Sequence, residues 1–92
     1  MKIVLNENAY ELIDNYKDAF NKEEITNLYT DYFKDYDYIL GDYAYSKLRL
    51  KGFCNKDNKM LNSINDYENI NKYIKEQCAY DCKYFVLKKI EK

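Results

Sequence analysis

The 92-residue chain has the size of one small domain, and its 47% hydrophobic and 34% charged content excludes disorder. Fifteen basic and sixteen acidic residues leave a net charge of −1, so no global field draws the chain to nucleic acid or anionic lipid. Histidine is absent, which excludes every Ser–His or Cys–His relay, and two glycines are too few for a phosphate-cradling loop.

Met1-Lys2-Ile3-Val4-Leu5 is followed at once by Asn6-Glu7-Asn8, so no signal peptide is expected. No apolar run approaches membrane-spanning length. With three cysteines (Cys54, Cys78, Cys82), this fits a reducing cytoplasm and a monomer. The same segment opens the fold: Lys2 to Leu5 and Ala9 to Asp14 read as a hairpin turned at Asn6-Glu7-Asn8. A connector from Asn15 to Asn21 carries Tyr16 and Phe20 over the core edge.

A helix is predicted over 22–35. Asn21 and Glu24 form a capping box, and Phe20 and Ile25 are spaced as a hydrophobic staple. Ile25, Leu28, Tyr29, Tyr32, Phe33 and Tyr36 follow at helical spacing. Next comes a second hairpin, with Tyr36 to Leu40 as one strand, Gly41-Asp42 as the turn, and Ser46 to Cys54 as the other strand. Alternation places Leu48, Leu50 and Cys54 on one face, and Lys47, Arg49, Lys51 and Phe53 on the other. Residues 55–59 read as a loop. A second helix is predicted over 66–79, capped by Asn65 with Glu68 at the box position and Tyr67, Ile70, Ile74 and Cys78 buried. Tyr84 to Leu87 is an uninterrupted apolar run, as expected of a central strand covered on both faces. The order is ββαββαβ, an α+β domain over residues 1–92 with an antiparallel-rich sheet and two helices packed on it.

Three constellations bear on function. Lys47, Arg49 and Lys51 project from one strand face about 7 Å apart. With Phe53, Tyr43 and Tyr45 nearby, they resemble the mixture of cations and stacking rings used on single-stranded RNA. The same spacing also describes a solvated face whose cations pair with Asp37, Asp42 or helix carboxylates. Arg49 stands out because it is the only arginine beside fourteen lysines. The cysteines, even with Asp81 as a fourth ligand, match no ordinary zinc pattern and are expected to be reduced, metal-free packing residues. Asp35, Asp37 and Asp42 flank the central strand, but no spacing assigns them acid–base or Mg²⁺ chemistry. No cofactor and no enzymatic activity are expected.

Three stretches together resemble the YutD-like family of small proteins of Gram-positive bacteria and their wall-less relatives. They are Tyr36-Asp37-Tyr38-Ile39-Leu40-Gly41-Asp42-Tyr43, then Leu48-Arg49-Leu50-Lys51-Gly52-Phe53, then Cys78-Ala79-Tyr80-Asp81-Cys82-Lys83-Tyr84-Phe85-Val86-Leu87. The chain departs from the family pattern at Tyr43, where tryptophan is usual, and at Asp81, where glycine is expected. The resemblance implies a stand-alone cytoplasmic domain and carries no established activity. The expected function is a binding module that meets RNA or a ribonucleoprotein through Lys47, Arg49, Lys51, Phe53, Tyr43 and Tyr45. The alternative is a protein–protein adaptor or inhibitor acting through a tyrosine-rich surface around Tyr43 and Tyr45.

Overall fold

The computed structural model describes residues 1–77 and 82–90. Five antiparallel strands form one sheet: β1 (Lys2–Leu5), β2 (Asn8–Tyr16), β3 (Tyr38–Ala44), β4 (Lys47–Phe53) and β5 (Tyr84–Lys89). Their spatial order is β1-β2-β5-β3-β4, so β5 is central and β4 lies at an edge. Helix α1 (Lys22–Leu28) follows β2, and helix α2 (Ile70–Gln77) precedes β5. The expected ββαββαβ order and α+β class hold.

The sheet is covered on both faces, because the side chains of β3 and β5 alternate between two apolar clusters. Ile39, Phe85 and Leu87 join Ile3, Leu5, Tyr10, Ile25 and Tyr29 on the α1 face. Leu40 and Val86 join Tyr38, Phe53 and Ile70 on the α2 face. An uninterrupted apolar run is what such two-sided burial requires of β5.

Four expectations are corrected. The turn of the second hairpin is not Gly41-Asp42. Both residues lie within β3, and the turn is Tyr45-Ser46, with φ of 53° and 65°. Gly41 is needed for a different reason: a Cβ there would stand 2.2 Å from Cζ of Phe85, so the ring packs directly on the backbone. The first hairpin turns in the same way at Asn6-Glu7, with φ of 48° and 69°. Two consecutive positive φ values match the twist of the flanking strands.

The first helix is shorter than 22–35. Its Asn21 cap forms as expected, accepting from the Glu24 N–H at 3.0 Å, but the helix stops at Leu28. Tyr29 turns extended and buries its ring edge-on to Tyr10, the two hydroxyls 2.8 Å apart. Thr30 then caps a separate 3-10 turn over Asp31–Phe33. Periodicity continues through this segment, but tertiary burial of Tyr29 and a local cap interrupt it. Near 66–79, Asp66 rather than Asn65 supplies the cap, accepting from the Glu68 N–H at 3.0 Å. A 3-10 turn over Tyr67–Asn69 leads into α2, and the last two predicted positions lie outside the described residues.

The fourth correction concerns Cys82, which is disulfide-bonded and not a reduced thiol. Parity and compartment gave the sequence reading no access to the sulfur geometry that decides pairing. Cys54 is a free, buried thiol, and burial pushes its pKa up, with the Asp37 and Asp66 charges adding to the effect. Cys78 lies outside the described residues.

Candidate functional site

Strand alternation places Lys47, Arg49, Lys51 and Phe53 on the α2 face, as expected, and Leu48 and Leu50 against the α1 cluster. The use made of each residue differs from the expectation. Arg49 sits directly opposite Asp42 in the β3–β4 register. Its Nε donates to Asp42 Oδ1 at 3.1 Å and its Nη2 to Asp42 Oδ2 at 2.7 Å. Nη2 also reaches the Gln77 carbonyl at 3.3 Å, at the end of α2. The guanidinium is 46% exposed and the carboxylate 6%. The bonds to Asp42 raise the pKa of Arg49 above its ordinary value. A planar fork explains the lone arginine: it neutralises a nearly buried acid through two bonds and ties the hairpin to α2.

Phe53 is 1% exposed and packs edge-on to Tyr73, so it is a core ring and offers no stacking platform. The Lys51 ammonium lies 5.4 Å from the centroids of both rings and so partly closes over them. Tyr43 belongs to the opposite face. Its hydroxyl donates to Glu24 Oε1 at 2.9 Å, and Lys83 lies over its ring at 4.3 Å. Burial, followed by the bond to Glu24, pushes the Tyr43 phenol up to about 12. Tyr45 is 99% exposed at the hairpin tip. The six residues expected to form one contact surface are therefore distributed among a clamp, a core, two faces and a turn. Lys47, Arg49 and Tyr45 remain exposed.

The structure brings a different set together. A cleft of about 400 Å³ lies beside β4. Arg49, Lys51 and Tyr73 line it from the α2 face, and Leu50, Tyr32 and Tyr36 from the other. The Tyr36 ring rests on Gly52, where a Cβ would stand 2.4 Å from its Cγ. The Tyr32 and Tyr36 hydroxyls are 3.0 Å apart, and this bond and burial raise the Tyr36 phenol to about 12. Tyr32 is 66% exposed, and Ile64 on the rim is 70% exposed. The sequence signal for this pair was the i, i+4 spacing of Tyr32 and Tyr36, which was absorbed into a helix stripe. Nothing local revealed that Gly52 is the seat of Tyr36.

Two carboxylates, Asp37 and Asp66, hold the chain after β4 in place. Asp37 Oδ2 accepts from the Asn55 N–H at 2.8 Å and from Asn58 Nδ2 at 3.0 Å, anchoring the loop after β4. Asp66 accepts from Lys56 at 2.6 Å, which with the Glu68 N–H lowers its pKa. Among the described residues, no three His, Cys, Asp or Glu side chains are grouped to hold a metal ion. No helix among them is long and apolar enough to cross a membrane.

The fold and sequence can be set beside known proteins. The family described as "Putative antitoxin YutD-like" matches residues 4–88. A relative from Bacillus subtilis (strain 168), named "Putative antitoxin YutD", is 43% identical over 91 residues, spanning 98% of this chain and all of the relative. The solution NMR structure of the B. subtilis protein yutD superposes with a TM-score of 0.82 at 40% identity, covering all of this chain and 84% of that one. On these matches, together with the three motifs and the sheet they build, the chain belongs to the YutD-like family.

Proposed function

We propose that this protein is a non-catalytic binding module of antitoxin type that acts by contacting another protein through the cleft beside β4. The observation that carries the reading is the aromatic rim of that cleft, where Tyr32 and Ile64 are exposed beside Tyr36 and Tyr73. Tyrosines held in fixed orientations give large contact area at low entropic cost. The name of the B. subtilis relative supports the same direction, since an antitoxin works on a partner. The residues expected for RNA support that alternative poorly: Arg49 is engaged by Asp42 and Gln77, and Phe53 is buried.

Affinity capture from a bacterial lysate, with and without nuclease and across a salt series, tests the proposal. A protein retained after nuclease, with shallow salt dependence, supports it. Loss of all bound material on nuclease treatment, or a steep salt dependence, contradicts it and returns the function to RNA.

A further inference from the structure

We propose that the outer edge of β4 is a strand-addition site for an extended partner segment whose side chains alternate between carboxylate and apolar. This rests on the protein-binding reading above and specifies its partner. Among the described residues, β4 pairs with β3 alone. The two-residue turn sets the ladder phase: Ala44 and Lys47 close the turn as a hydrogen-bonded pair. The backbone groups of Arg49, Lys51 and Phe53 therefore also face β3, and those of Leu48, Leu50 and Gly52 face outward. Among the described residues, no hydrogen bond outside the ladder reaches those three. The register from Tyr38–Phe53 to Ala44–Lys47 has no shift, and the chain contains no proline. The edge is therefore regular and lacks the bulge or proline that commonly blunts one.

The chain itself already uses this lane just past Gly52. The Cys54 N–H donates to the Asn65 carbonyl at 2.7 Å, and the Tyr67 N–H donates to the Cys54 carbonyl at 3.0 Å. Asp66 thereby forms a parallel bridge to Cys54. The sixth-strand position is occupied at Cys54, Gly52 beside it is buried, and the cleft lies along the half-buried Leu50.

Charge selects the occupant. Side chains of an added strand alternate between the two faces. On one face they meet Lys47 and Lys51 beside the engaged Arg49, which suits carboxylates. On the other they meet Leu50 and the Tyr36 ring, which suits apolar groups. A second copy of this chain does not fit, because antiparallel β4–β4 pairing sets Lys47, Arg49 and Lys51 of both copies on one face.

Amide hydrogen exchange, read by NMR on the full chain, tests the inference with two synthetic peptides, one alternating Glu and Val, the other Lys and Val. With the Glu–Val peptide about tenfold above its Kd, exchange at Leu48 and Leu50 is expected to slow about tenfold. The Lys–Val peptide should leave it unchanged. The Arg49 and Lys51 amides, paired to β3, serve as internal reporters of folding. The Lys47→Glu/Lys51→Glu variant is expected to exchange the two preferences while keeping those reporters protected. Failure of the Glu–Val peptide to bind, or binding that leaves the Leu48 and Leu50 amides fast, overturns the inference. If nuclease-resistant capture of a protein persists in that case, the protein-binding reading stands without it. Slowing of the same amides by an oligouridylate probe in place of the peptide overturns both.

Discussion

Arg49 and Asp42 face each other directly across the β3–β4 ladder, and two bonds of 3.1 and 2.7 Å join the half-exposed guanidinium to the nearly buried carboxylate. The pair is unequal in its access to water, and that inequality predicts unequal variants. Arg49→Ala removes two charge-assisted bonds from a nearly buried carboxylate and should cost about 2 kcal/mol. This is less than the cost of breaking a fully buried pair, because water reaches the arginine side. Asp42→Asn leaves a guanidinium that water can solvate, and should cost about half as much. Denaturant melts of the two variants check the order; a larger loss for Asp42→Asn would reverse the assignment.

The two glycines predict a second contrast. Gly41→Ala drives a methyl into the Phe85 ring, which is fully buried at the centre of the α1-face cluster. A loss of about 3 kcal/mol is expected, at the upper end of ordinary overpacking. Gly52→Ala meets the Tyr36 ring, which is nearly buried but lines the cleft and can shift into it. About 1 kcal/mol is expected there, together with loss of the Tyr32–Tyr36 hydroxyl bond. Thermal melts of both, and the tyrosine hydroxyl resonances of the second, provide the check.

The hairpin tip predicts a gain. Tyr45 and Ser46 both hold positive φ, a conformation that asparagine and glycine adopt at lower cost. Replacing the pair by Asn-Gly should raise stability by about 1 kcal/mol. If partner capture per folded molecule is unchanged, the exposed Tyr45 ring is not a contact; a loss of capture would place it in the interface.

Alkaline pH should unfold the protein through its buried phenols. Burial, then the Tyr29 hydroxyl, raises the pKa of Tyr10, and Tyr36 and Tyr43 are each raised to about 12. A raised pKa means that the folded state holds its proton more tightly than the unfolded chain. The corresponding stability is complete below the unfolded value of about 10 and declines as pH rises through and beyond it. Phenolate absorbance and far-ultraviolet circular dichroism should change together for these residues. Ionisation of the buried phenols with the fold intact would contradict the assignment.

The architecture was legible in the sequence wherever a local device and a tertiary role agreed. The Asn21 cap, the apolar run of β5 and the alternation of β4 are such places. Legibility failed where a residue serves a distant neighbour. Gly41 has turn chemistry, but a ring from β5 requires it in mid-strand. Tyr29 continues a helical stripe, but its hydroxyl belongs with Tyr10. At the candidate site, sequence identified the stripe and its alternation along β4, and it singled out Arg49. It could not assign the fork to Asp42, seven residues away, in preference to a ligand. The cleft was invisible because its rim joins residues 32–36, β4 and α2, which only the folded sheet brings together.

The central claim is that Arg49 is a structural clamp and that partner contact lies elsewhere on the β4 edge. Melting temperature and partner capture, measured on one preparation of Arg49→Lys, test it most directly. Lysine keeps the charge but lacks the two-bond fork. The account predicts a lower melting temperature with capture per folded molecule unchanged. An unchanged melting temperature with capture lost would contradict it and show that the fork binds the partner.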